Sequence, residues 1–271
     1  RWRTERMPRT EKGWEITPGE LGAWTLYEDS GLLVLNKPAH VVCHPSKTGP
    51  WSSLAGACRE YLALDRIHLP VRLDRETSGV ILVAKDQPTG ARLHNAVAKG
   101  RFRKIYYAIL TGELAAPLTV DAPIGRDPAA EYTSRQRVIE TGRAASTDFI
   151  PLSARNGFTF ARVIPHTGRM HQIRVHAAHI GHAIVGDKLY GPDSSLMLRF
   201  IKEGFTEEHR ERLLLDRQAL HAAELEFPSL SLGYRAPLAP DLAVFCSARG
   251  LAVDYAIAIP GEPAACGPTY R

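Results

Sequence analysis

The chain has 271 residues, 44% hydrophobic and 23% charged, the balance of an ordinary globular protein with room for one large domain or two small ones. A net charge of +5 permits a polyanionic partner without requiring one, and 22 glycines with 19 prolines argue for many turns and short strands rather than a helical bundle. Cys43, Cys58, Cys246 and Cys266 form no CxxC pair, which argues against a zinc ribbon or disulfide framework and for a reducing, cytoplasmic setting; no apolar run reaches the roughly 18 residues of a membrane span.

In chain order, residues 1–24 read as a basic N-terminal extension, with regular structure expected from about Trp24. "GLLVLNKP" (31–38) predicts a buried strand stopped by Pro38, and "SSLAGACREYLAL" (52–64) a helix. The apolar run Val80–Ala84 predicts a second buried strand. "TGARLHNAVAKG" (89–100) predicts a helix ending at Gly100, and "RKIYYAILTG" (103–112) an alternating strand with Lys104 and Tyr106 on one face and Tyr107 on the other. A polar stretch then leads to short strands near 147–152 and 158–164. "TGRMHQIRVHAAHIGH" (167–182) predicts a helix capped by Thr167, residues 200–218 a charged amphipathic helix, and 219–258 further strands. Without regular βαβ alternation, the class expected is α+β, with residues 25–260 as one domain and 261–271 as a tail.

No P-loop, GxGxxG or GxSxG occurs, so nucleotide-driven chemistry and a Ser–His–Asp hydrolase lack support. His166, His171, His176, His179 and His182 cluster, but few pairs have helical ligand spacing, so packed or phosphate-contacting histidines are the expectation and a metal hydrolase the weakest alternative. In "VRLDRETSGVILVAK" (71–85), Asp74 sits between Arg72 and Arg75. Period-2 spacing would put Arg72 and Asp74 on one strand face, so local spacing alone favours a structural ion pair.

Five segments in order, "NKPAHVVCHP", "RLDRETSGVILVAK", "KIYYAILTG", "TGRMHQIRVHAAHIGHAIVGDKLYG" and "LHAAELEFP", resemble the RluA-type pseudouridine synthase family over most of the chain. The resemblance implies the fold of that family, a mixed, mostly antiparallel sheet flanked by helices. It also implies isomerisation of uridine to pseudouridine in RNA, with no cofactor and no metal. Asp74 would be the essential aspartate, Tyr106 the active-site tyrosine, and Arg174 the basic residue that keeps Asp74 ionised. Arg72 would fill the gap left by the flipped uridine, while Arg169, His171 and Gln172 would contact phosphate or ribose; Lys37 reads as structural.

The partner expected is a stem-loop of rRNA or tRNA, bound by a monomer, with no membrane and without the S4 domain that many relatives carry. Three positions depart from the family pattern: Val71 in place of histidine, His40 in place of glycine, and Met170 in place of threonine. Val71 motivates the alternative of a catalytically inactive RNA-binding protein of the same fold.

Overall fold

The apolar run that begins at residue 78 forms a strand buried at all seven positions, and much of the architecture follows from covering it and its neighbours. The computed structural model describes residues 15–44, 49–132 and 134–253. Most of the basic extension and the whole 261–271 tail therefore lie outside the described residues. The chain divides into two compact units, residues 15–102 with 224–237 and residues 103–223 with 238–253.

The first unit opens with helix α1 (Pro18–Trp24), earlier in the chain than the sequence suggested. The overlooked signal is "TPGE": Thr17 accepts from the Glu20 backbone N–H at 3.2 Å and Glu20 returns a bond to the Thr17 N–H at 2.9 Å, a capping box with proline at the first turn. Strands β1 (Thr25–Glu28), β2 (Leu32–Lys37) and β3 (Ser78–Ala84) pair antiparallel in that order. Helices α2 (Leu54–Tyr61) and α3 (Gln87–Ala98) bury Leu54, Ala57, Cys58 and Leu93, and the strands bury Leu33, Leu35, Ile81 and Val83.

The second unit contains β4 (Arg103–Thr111), β5 (Leu118–Asp121), a small hairpin of β6 (Ile124–Arg126) and β7 (Gln136–Val138), then β8 (Ser146–Arg155) and β9 (Phe158–Pro165). The strands β4, β9, β8 and β5 lie in that order, all antiparallel. Helix α4 (Gln172–His179) follows, then α5 (Ser195–Glu203) and α6 (Glu207–Leu213). Strand β10 (Leu220–Phe227) crosses from one unit's residues to the other's. It pairs through Glu224–Phe227 with β11 (Leu232–Arg235) in the first unit, and α7 (Pro240–Ala248) belongs to the second. The α+β class and the mostly antiparallel arrangement flanked by helices are what the sequence implied.

Four local expectations need correction. The helix expected over 200–218 is two helices, because Gly204 ends α5 at φ +76° and Thr206 with His209 caps α6. Within 219–258 the expected strands occur as β10 and β11, but residues 240–248 are helix: Pro240 starts α7, and Leu242, Phe245 and Cys246 are its buried residues. The polar stretch after residue 122 holds the β6–β7 hairpin. The fourth correction concerns the loop before β3. Residues 71–77 are not strand; the Thr77 N–H donates to the Asp74 carbonyl at 3.1 Å, closing a turn over Asp74–Thr77, so Arg72 and Asp74 share no strand face.

His40, where the family pattern has glycine, adopts φ +70°, a conformation that costs an L-residue about 1–2 kcal/mol. His40→Gly is therefore expected to raise unfolding stability by about 1 kcal/mol, seen as a higher urea midpoint at unchanged slope. A lower midpoint would mean that the imidazole's own contacts outweigh the backbone strain.

Candidate active site

In the first unit, the turn carrying Asp74 is tied down from the end of β2. The Lys37 side chain is wholly buried, and its Nζ donates to the carbonyls of Pro38 (2.8 Å), Val41 (3.0 Å) and Arg75 (3.2 Å). A buried ammonium must be fully hydrogen-bonded to be tolerated, so these carbonyls are drawn around it and the 38–41 and 74–77 turns are joined. Cys43 Sγ donates to the Leu73 carbonyl at 3.3 Å and Arg75 Nε to the His40 carbonyl at 3.4 Å, which adds two more ties between the same segments. Burial pushes the Cys43 thiol up, as expected of a structural rather than a reactive cysteine.

Between these ties Leu73 is buried, Asp74 is half-buried and Arg72 is exposed. Neither flanking arginine pairs with Asp74. Among the described residues Arg72 has no hydrogen bond or ion pair, and Arg75 spends its Nε on a backbone carbonyl. The local ion pair favoured by spacing alone does not form, because the turn separates the side chains that a strand would have aligned.

The second unit holds Tyr106, Arg169, His171, Gln172 and Arg174. Tyr106 lies in β4, nearly buried, as does Tyr107, whose ring packs on Phe160 with centroids 5.2 Å apart. Both strand faces are covered, so alternation alone could not separate the two tyrosines. Lys104, two residues before Tyr106, donates to the Thr167 carbonyl at 3.3 Å, and burial lowers its pKa to about 8.

The helix expected to start at Thr167 starts at Gln172 instead, after His171 in a left-handed conformation at φ +56°. The reason is the Gln172 side chain. Its Oε1 accepts from Thr167 Oγ1 (2.7 Å) and the Arg169 N–H (3.0 Å), while its Nε2 donates to the Ser146 carbonyl (2.9 Å) and Thr147 Oγ1 (3.0 Å). Two accepted and two donated bonds satisfy the carboxamide, so this buried residue shapes the 167–171 loop. Met170, within the span read as helix, is instead an exposed loop residue. Arg169 Nε donates to the Ala144 carbonyl at 2.8 Å, which secures the loop from its other side.

Arg174 is nearly buried and meets Asp187 edge-on: Nε to Oδ2 at 2.7 Å and Nη2 to Oδ1 at 2.9 Å. The backbone N–H groups of Leu189 and Tyr190 also donate to Asp187 Oδ1, at 2.9 and 3.0 Å. These donors and the guanidinium outweigh burial and hold the Asp187 carboxyl below the usual carboxylate range. The Arg174 guanidinium lies 4.9 Å from the centroid of the Tyr190 ring. Tyr190 Oη accepts from the Gln136 N–H at 2.9 Å and bonds His171 Nδ1 at 2.7 Å. Asp187 and Tyr190 thus position Arg174 and His171. The sequence assigned no role to either, although "GDKLYG" carried a signal: a Cβ on Gly186 would meet the Arg217 carbonyl at 1.9 Å, and one on Gly191 the Asp187 carbonyl at 2.3 Å.

Three of the other clustered histidines are spent separately, while His179 is exposed. His176 is buried, its Nδ1 bonded to Thr147 Oγ1 and its Nε2 to the Ala122 carbonyl, both at 2.9 Å, and burial lowers its pKa. His166 meets Asp148 at 2.7 Å, and His182 meets the Thr111 carbonyl at 2.8 Å. Among the described residues no three histidine, cysteine or acidic side chains converge as metal ligands.

Comparison with known proteins adds an independent line. The sequence profile of the RNA pseudouridylate synthase family matches residues 31–179. The chain is 35% identical over 226 residues to YjbO of Bacillus subtilis, described as an uncharacterized RNA pseudouridine synthase, covering 80% of this chain and 73% of that one. It is 32% identical over 233 residues to ribosomal large subunit pseudouridine synthase D of Escherichia coli K12, covering 83% and 70%. The solved structure of human RNA Pseudouridylate Synthase Domain Containing 4 superposes with a TM-score of 0.69 at 24% identity, covering 87% of this chain and 96% of that one, a likeness of fold.

Asp187→Asn takes away the carboxylate charge that Arg174 meets at 2.7 and 2.9 Å in a buried site and is expected to cost about 3–5 kcal/mol at neutral pH, measured by denaturant unfolding. Because the folded-state pKa of Asp187 is lowered, its contribution is full above the unfolded value of 3.8 and is lost as pH falls through the folded value. Wild type and variant should converge only at strongly acidic pH; equal stabilities at pH 7 would contradict the role given to the pair.

Proposed function

Because the chain belongs to the RNA pseudouridylate synthase family, enzymes that isomerise uridine in RNA, we propose that Asp74 is the carboxylate on which its reaction depends. In this isomerisation the N1–C1′ bond breaks, the uracil turns, and C5 bonds to C1′. The proton on C5 leaves and N1 gains one, so nothing is oxidised, reduced or hydrolysed. An ionised Asp74 serves either as the nucleophile at C1′ or as the base for the C2′ proton.

The observation that carries this assignment is the turn at 74–77, anchored by the buried Lys37 ammonium and bearing a half-buried carboxylate. Arg174 is assigned to hold the reacting carboxylate ionised, and Asp187 to keep that guanidinium in one orientation. Tyr106 is assigned to stack on the uracil and to assist the late proton transfer.

The target base must leave the RNA stack to reach a half-buried carboxylate, at a cost of a few kcal/mol. Arg72, exposed and without a partner among the described residues, suits the vacated place, since a planar guanidinium can stack there. Arg169 and His171, on the loop that Gln172 holds, serve phosphate or ribose. Single-stranded loops of structured RNA present splayed bases most cheaply, so a stem-loop of rRNA or tRNA is the substrate class. The name of the Escherichia coli relative favours large-subunit rRNA.

Incubating total RNA with the protein and mapping new pseudouridines tests this reading. Wild type should create pseudouridine at discrete sites. Asp74→Ala should lose at least about a thousandfold in rate while binding RNA with little change. Tyr106→Phe, which retains the ring, should lose about 10²–10⁴-fold. Turnover surviving in Asp74→Ala would refute the assignment.

A further inference from the structure

Beside Arg72, within the first unit, lies an open cleft of about 630 Å³ that the roles above leave unused. Its walls carry Arg59, Arg66 and Arg72, and Ile67, His68 and Leu69 contribute half-buried surface. All three arginines are exposed; among the described residues Arg66 and Arg72 have no ion pair, while Arg59 meets Glu60 at 3.2 Å. Asp65 is the acidic residue in the lining, so guanidinium charge dominates.

The cleft is preformed where His68 stands. The His68 N–H donates to the Ala84 carbonyl at 2.9 Å and the Ala84 N–H donates back at 2.8 Å, which fixes the backbone to the end of β3. Its ring rests on α3 so closely that a Cβ at Gly90 would lie 2.6 Å from it, and the His94 ring meets it edge-on with centroids 6.4 Å apart. An imidazole held this way gives the cleft a rigid ring, and the same lining brings the side chains of Ile67, Leu69 and the three arginines.

A lining that combines a ring, apolar side chains and guanidiniums matches one nucleotide: the base takes the ring and apolar surface, and the phosphate takes the charges. The volume lies in the range of pockets that enclose a small molecule. We propose that this cleft seats the nucleotide adjoining the target uridine on the same RNA strand, with Arg66 and Arg59 on its phosphates and its base against His68. The inference rests on the reading above, because it is Arg72, filling the gap of the flipped base, that brings the neighbouring nucleotide to the mouth of the cleft. The seat makes selection of the target depend on the adjacent nucleotide as well as on the uridine.

The test uses a short RNA spanning a mapped target uridine. Arg66→Glu and Arg59→Glu should raise KM about tenfold and lower kcat less than twofold, and each should flatten the salt dependence of binding by about 0.7 in the log–log slope for every phosphate it no longer neutralises. Arg101→Glu, an exposed arginine outside the cleft, provides the reference for a simple change of net charge. RNAs lacking the base on one or other side of the target should differ in affinity for the wild type, one of them weakened. KM values for Arg66→Glu no higher than for Arg101→Glu, or equal binding of both abasic RNAs and the intact RNA, would overturn the seat. A wild type that forms no pseudouridine in any RNA would instead defeat the underlying reading.

Discussion

An ammonium group without water must find oxygen atoms, and Lys37 finds three backbone carbonyls, from Pro38, Val41 and Arg75. That requirement organises the first unit around the turn that carries Asp74. Strand β2 stops at Pro38, the chain wraps over the lysine head, and the turn of 74–77 is drawn to the same point. Asp74 is consequently carried on irregular backbone, yet on backbone as constrained as a strand. A carboxylate that must meet one atom of a nucleotide needs that constraint, since small misplacements are costly in rate.

The second unit solves a similar problem with a buried ion pair. Arg174 is fixed by two bonds to Asp187, and Asp187 is fixed in turn by the backbone of Leu189 and Tyr190. Burying both charges is expensive and of doubtful net worth for stability, but it leaves the guanidinium with one geometry. Gln172 does the same for the 167–171 loop with a neutral group, trading helix at Thr167–His171 for an ordered loop with a left-handed residue at its end. In both units a fully satisfied buried polar group holds irregular backbone beside residues with assigned roles.

What the sequence could convey follows from this. Strands β2, β3 and β4 and helix α3 are governed by local apolar pattern, and their existence was readable within a few residues. The helix start at Gln172 was not, because the bonds that unwind Thr167–His171 reach Ser146 and Thr147, some 25 residues away in sequence. The same limit hid the Arg174–Asp187 pair, and the turn at 74–77 misled an argument built on strand periodicity. Helix α7 and the break at Gly204 did carry local signals, Pro240 at a first turn and a glycine before a Thr206 cap, which apolar and charge patterns overrode. Asp74 stood out through the joint occurrence of separated motifs, not through its neighbours, since the neighbouring arginines turn out not to engage it.

The central claim is that this chain moves the bond at C1′ of a uridine from N1 to C5 with no net gain or loss, the proton leaving C5 being matched by one taken up at N1. RNA carrying tritium at C5 of its uridines tests it most directly. The account predicts that tritium passes to water in step with pseudouridine formed, while the strand stays intact and its base count unchanged. Bound RNA that keeps its tritium, or tritium that appears as free uracil, would contradict it.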